Sequence, residues 1–150
     1  DMREVFANEQ FDYVFNLFTS FGYFDSKEEN LNVIDATIKS LKPGGRFLLD
    51  FLNPYVVVNN LVHEEDKTIE NIHFRIQRAY TKDEFIVKNI LVDDHGQHYE
   101  FQEKVKALRR TDFLAYFEEI NLKVIDIFGD YELSEYKAEE SQRLIFVLEK

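Results

Sequence analysis

Lys42-Pro43-Gly44-Gly45-Arg46-Phe47-Leu48-Leu49-Asp50, read with Phe11-Asp12-Tyr13-Val14-Phe15-Asn16-Leu17-Phe18 upstream, decides the fold. Two near-continuous apolar runs are separated by an amphipathic segment and a tight proline-glycine-glycine turn, which spells strand, helix, turn, strand. Runs of this kind suit parallel neighbours covered on both faces, and the intervening helix is long enough to serve as their crossover. The expectation is half of a doubly wound α/β domain.

Outward from this unit, Ser26-Lys27-Glu28-Glu29 matches a capping box, with the Ser26 hydroxyl and the Glu29 carboxylate each placed for an orphan backbone N–H. Leu31, Ile34, Ile38 and Leu41 then recur at helical spacing. Arg46 to Leu52 is the second strand, stopped at Asn53-Pro54. From about Thr68 to Ala107 the pattern changes to alternation, with Ile72, Phe74 and Ile76 against His73, Arg75 and Gln77, and Tyr99, Phe101 and Val105 against Glu100, Gln102 and Lys104. This predicts a three-stranded antiparallel meander with one wet face, turning at Thr81-Lys82-Asp83 and Asp93-Asp94-His95-Gly96. Glu64-Glu65-Asp66 before it reads as a charged loop. Thr111 is placed to cap a second helix, and strands over Leu122 to Phe128 and Arg143 to Glu149 close the chain. Because α/β elements resume after the meander, it is an insertion in one domain spanning 1–150.

Composition bounds the function. The formal net charge of −11 disfavours a nucleic-acid backbone or an anionic membrane as partner, leaving a small molecule, although Lys104, Lys106, Arg109 and Arg110 form a local basic patch. There is no cysteine, so no disulfide framework or thiolate metal site exists, and a reducing, cytoplasmic setting is expected. No run is apolar enough over a bilayer's thickness to span it. His95-Gly96-Gln97-His98 with Glu100 offers metal-ligand types on a hairpin turn, where solvated loop residues are the expectation and no metal site is assigned.

Four segments carry a family resemblance. Asp1-Met2-Arg3, the run Asn16 to Phe24, Leu41-Lys42-Pro43-Gly44-Gly45 with Phe47-Leu48-Leu49-Asp50, and Ser141-Gln142-Arg143 before the last strand resemble the later half of a Rossmann-like S-adenosylmethionine-dependent methyltransferase of the small-molecule type. The resemblance implies a partial sheet, strands four to seven, carrying the antiparallel insertion. It implies that Asp1 accepts an adenine N–H, that Met2 offers its backbone, and that Asn16, Leu17 and Phe18 line the methionine end of S-adenosylmethionine. Tyr23 and Asn53 become the acceptor-side candidates. Asp50 reads either as a buried carboxylate or as the rim of the acceptor site, and Arg143 as the partner of an acidic neighbour.

One departure bears on all of this. The donor-binding glycine loop and the acidic residue on the ribose are not found, since Gly22, Gly44, Gly45, Gly96 and Gly129 include no GxGxxG spacing. The expectation is therefore a fragment without the glycine-loop half, weak donor binding, and self-association through an exposed sheet edge. The other function class is a non-catalytic dimerisation or ligand-binding module.

Overall fold

The computed structural model describes all of residues 1–150. Along the chain run β1 (Phe11–Asn16), α1 (Lys27–Ser40), β2 (Leu41–Leu52), α2 (Pro54–Asn59), β3 (Glu64–Ile69), β4 (Ile72–Tyr80), β5 (Phe85–Asp94), β6 (Gln97–Lys106), α3 (Arg110–Glu119), β7 (Lys123–Phe128) and β8 (Arg143–Glu149). They form two compact units, residues 1–57 with 108–150, and residues 58–107.

In the first unit the sheet order is β1-β2-β8-β7. β1 and β2 are parallel, joined by α1 as the crossover, whereas β8 runs antiparallel to both β2 and β7. The glycine turn is absorbed into β2 as a bulge. Phe11 pairs with Leu41 but Tyr13 already pairs with Arg46, so residues 42–45 loop out of register. Gly44 takes φ +75, and a Cβ on Gly45 would lie 2.8 Å from the Lys42 carbonyl oxygen, so the bulge needs glycine at both positions.

α1 starts as its sequence dictates. Ser26 Oγ accepts the Glu29 N–H at 3.1 Å, and the Glu29 carboxylate accepts the Ser26 N–H at 3.2 Å. α3 starts at Arg110 with Arg109 as its cap, two residues ahead of the expected cap Thr111, which lies inside the first turn. The Asp112 carboxylate, inside the first turn, accepts the Arg109 N–H at 2.7 Å and takes over the capping from that side. Phe113 of α3 is fully buried and centres an aromatic cluster with Phe21, Phe51 and Phe146 at ring separations of 5.6, 5.1 and 5.2 Å. Lys27 of α1 pairs with Glu119 of α3, so both helices lie on the sheet face that carries Phe51 and Phe146.

That arrangement corrects the expectation of cover on both faces. Tyr13 and Phe15 are 60 % and 58 % exposed, stacked on one another, and Leu48 and Val147, in register with Phe15, are half-buried. A continuous apolar run says that a strand can be covered twice. It does not say that this chain supplies both covers, and here the two helices share one face.

The second unit is a four-stranded antiparallel sheet in the order β3-β4-β5-β6. The expected meander of three strands thus gains one, and the Glu64-Glu65-Asp66 stretch is strand rather than loop. β3 runs antiparallel to β4 from Glu64 opposite Gln77 to Ile69 opposite Ile72, with Arg75 and Arg78 meeting Asp66 and Glu65. Charged side chains on an edge strand keep it from pairing further, which is why it looks like a loop in sequence. Alternation holds across the sheet: Phe74, Val92 and Tyr99 align on one face, and His73, Asp93 and His98 on the other.

Candidate functional site

Ligands of open α/β sheets bind at the carboxyl ends of parallel strands. In the first unit that place is the end of β1, where Asn16 is 8 % exposed and its amide oxygen has no hydrogen-bond partner. Asn30, whose amide oxygen is likewise unpartnered, at least donates its amide to the Ser26 carbonyl at 2.9 Å. A buried acceptor left unpaired costs about 1–3 kcal/mol, so the orphan oxygen at Asn16 is open to a donor such as water or a ligand.

Directly after it the backbone enters the left-handed region at two consecutive non-glycine residues, Phe18 (φ 57) and Thr19 (φ 63). Each costs about 1–3 kcal/mol, most for a β-branched residue such as Thr19, and persists only where the surroundings impose it. The surroundings are visible. Asp50, on β2 and 1 % exposed, accepts the Phe18 N–H through Oδ2 at 2.8 Å, and its carbonyl accepts the Thr19 N–H at 3.1 Å. Arg143, at the start of β8, donates from Nε to Asp50 Oδ1 at 2.7 Å and from a terminal nitrogen to Thr19 Oγ1 at 3.1 Å. The buried charge is therefore paired and its oxygens are occupied, as burial of a carboxylate requires. The turn meanwhile presents Leu17 and Phe18 to solvent, Phe18 at 76 % exposure.

The segment between β7 and β8 is tied to the same strand ends. The Tyr131 hydroxyl donates to Asp50 Oδ2 at 3.1 Å, and the Tyr136 hydroxyl to Asn53 Oδ1 at 3.3 Å. Burial is the largest influence raising both hydroxyls above the usual tyrosine value; Arg143 opposes it at Tyr131 and Arg110 at Tyr136. Both stay protonated donors at neutral pH. Asn53 is fully buried, its amide donating to the Ala138 and Ser141 carbonyls at 2.8 and 2.6 Å and its oxygen also taking the Tyr55 N–H. Every polar position of Asn53 is used in holding this segment.

The structure therefore brings Asn16, Leu17 and Phe18 together with Thr19, Asp50, Arg143 and Tyr131. Asp1 and Met2 are placed differently. The Asp1 carboxylate takes Nε of Arg3 at 3.0 Å, Arg3 reaches on to Glu29 at the start of α1, and no hydrogen bond or ion pair joins Asp1 or Met2 to Asn16–Phe18. Tyr23 is half exposed in the loop before α1. A cavity of about 210 Å³ is lined by Tyr55, Arg109, Arg110, Thr111 and Tyr136. A second concavity, of about 480 Å³, belongs to the other unit and is lined by His73, Arg75, Asp93 and His98, groups already paired across strands. The roles of Thr19, Tyr131 and Tyr136 carry no sequence signal, because each depends on a partner that only the folded sheet brings near.

No protein-family profile matches the chain, and no curated protein sequence matches it. Solved structures do. An S-adenosylmethionine-dependent methyltransferase from Clostridium acetobutylicum ATCC 824 matches over 99 % of this chain and 62 % of its own, at 18 % identity and a TM-score of 0.84. The CcbJ methyltransferase from Streptomyces caelestis matches over 99 % and 61 %, at 15 % identity and 0.81. The sugar N-methyltransferase KedS8 from Streptoalloteichus sp. ATCC 53650 matches over 100 % and 60 %, at 16 % identity and 0.76. The chain spans about three fifths of the length of these proteins, and its fold is a partial Rossmann-like methyltransferase fold with an antiparallel meander.

Proposed function

We propose that this chain forms one wall of a site in which a methyl group passes from S-adenosylmethionine to a small-molecule acceptor. The observation that carries the proposal is the buried, unpartnered amide oxygen of Asn16 at the carboxyl end of β1. The fold likeness supports it. S-adenosylmethionine, when bound, supplies a methyl group already activated on a positively charged sulfur, so the protein's share is placement and exclusion of water.

The residues present fit that share. The ammonium of the donor's methionine end satisfies the Asn16 oxygen, while Leu17 and Phe18 give an apolar lining to that end. Asp1 and Met2 serve the adenine once the Asp1 carboxylate exchanges Arg3 for the ring. Tyr23 orients the acceptor. Asn53 acts through the segment it holds rather than by direct contact.

The test is nitrogen–proton correlation spectroscopy during titration with S-adenosylhomocysteine at up to millimolar concentration. The expected result is weak, saturable shifts at Asn16 to Thr19, weak because the 150 residues hold no glycine-rich phosphate-type loop. Saturation without any change at Asn16 to Thr19, or no change anywhere, overturns the proposal. The second reading, a non-catalytic dimerisation or ligand-binding module, is favoured by the exposed Tyr13 and Phe15 on the open strand β1. It predicts self-association with an S-adenosylhomocysteine titration that leaves the Asn16 to Thr19 signals unmoved.

A further inference from the structure

We infer that Asp50 and Arg143 are positioning residues that hold the Phe18–Thr19 turn in its left-handed conformation and so present the methyl-donor wall ready formed. The functional half of this inference rests on the methyl-transfer reading; the structural half does not.

Three bonds converge on the turn, and a fourth joins the two residues that make them. The two N–H groups of Phe18 and Thr19 are taken by the carboxylate and the carbonyl of one residue, Asp50, and the Thr19 hydroxyl is taken by the guanidinium that also neutralises Asp50. A single buried pair thus fixes both the backbone and the side chain of the strained residues. Arg143 does this with two nitrogens of one planar fork, a geometry that lysine cannot reproduce. Tyr131 adds a donor to the same carboxylate from the segment before β8.

Left to itself the pair Phe18–Thr19 would relax out of the left-handed region, since neither residue is glycine. Relaxation would redirect the backbone that follows Asn16 and with it the exposed Leu17 and Phe18 side chains. Strain of this sort, imposed by a buried charge pair at the mouth of a site, is a form of preorganisation. A donor meeting the turn already formed loses none of its binding free energy to ordering it.

The experiment compares Asp50→Asn, Arg143→Lys, Thr19→Gly and the double variant Asp50→Asn/Thr19→Gly with the parent chain, all checked for folding by circular dichroism. The first readout is amide hydrogen exchange at Phe18 and Thr19. Asp50→Asn and Arg143→Lys are expected to raise exchange there by ~10-fold or more relative to amides in β2, the scale of losing a hydrogen bond to a charged group. Thr19→Gly takes positive φ freely and its N–H keeps the Asp50 backbone carbonyl as acceptor, so it is expected to restore protection at residue 19 in the double variant. Unchanged exchange in both single variants, or failure of Thr19→Gly to restore protection at residue 19, overturns the inference. Should Asp50→Asn unfold the unit, Arg143→Lys with and without Thr19→Gly carries the same decision.

The second readout is the apparent Kd for S-adenosylhomocysteine, expected to weaken by ~10-fold in the single variants and to recover with Thr19→Gly. A chain that shows the exchange pattern but no S-adenosylhomocysteine binding retains the clamp and loses the methyl-donor reading. One that binds equally well with and without the pair loses the positioning role.

Discussion

Asn16 sets function against stability at a single side chain. Its amide oxygen is buried without a partner at the end of a largely apolar strand. Asn16→Leu removes an unsatisfied acceptor while keeping volume, so denaturant unfolding is expected to show a gain of about 1 kcal/mol. The same variant is expected to lose the S-adenosylhomocysteine shifts at Leu17 to Thr19. A drop in stability on this change would mean that the oxygen is satisfied in the free chain and that no ligand need supply its partner. At this scale the sequence shows which polar residues interrupt apolar runs, Asn16 and Asp50 among them. It does not show what each one meets. Asp50 and Arg143 lie 93 residues apart, and Asn53 spends its amide on carbonyls 85 and 88 residues away. Its turn-forming reputation before proline conceals that work.

Single elements were legible where their signals are local. The Ser26–Glu29 box sits within one helical turn, and the structure forms both of its bonds. Hydrogen bonds from Ser26, and then the Arg3 guanidinium, hold the Glu29 carboxyl below the ordinary carboxylate range. A carboxylate whose folded pKa is depressed stabilises above its unfolded pKa, and that contribution is lost as pH falls through the folded value. The start of α1 is therefore expected to hold through mild acid and to loosen only below the ordinary carboxylate range, with the amide signals of Lys27 to Asn30 tracking one titration. Ser26→Ala should move that titration back up toward the ordinary range and weaken the helix by about 1 kcal/mol. An unchanged midpoint would remove the cap from the account. β3 shows the opposite case. Nothing within Glu64–Ile69 announces a strand, because its identity lies in the register with β4 and in Arg75 and Arg78 across from its acids.

At the scale of the whole first unit, α1 and α3 cover one face of its sheet, and β1 is left as an edge with Tyr13 and Phe15 exposed. An apolar edge strand of this kind favours strand addition or face-to-face pairing. The chain is expected to sediment as a concentration-dependent mixture of monomer and dimer, and Phe15→Lys to shift it to monomer without loss of helix content. Sedimentation as a monomer at all concentrations would show that the face stays open. The architecture was readable from the order of apolar runs, since a parallel pair needs its crossover and the runs supply it. Which face the helices choose was not readable, because period and composition are the same for either choice.

The grip of Arg143 on Thr19 spans 124 positions, so the turn beside Asn16 cannot be completed until β8 has been synthesised. A polypeptide emerging amino end first can form β1, α1 and β2 early, yet it stays without its keystone until β8 arrives. Nicking in the exposed stretch around Glu139 and Glu140 would leave every element intact while cutting the covalent tether that delivers the guanidinium. Loss of the turn, with helix content unchanged, would then be the first sign of proteolytic damage.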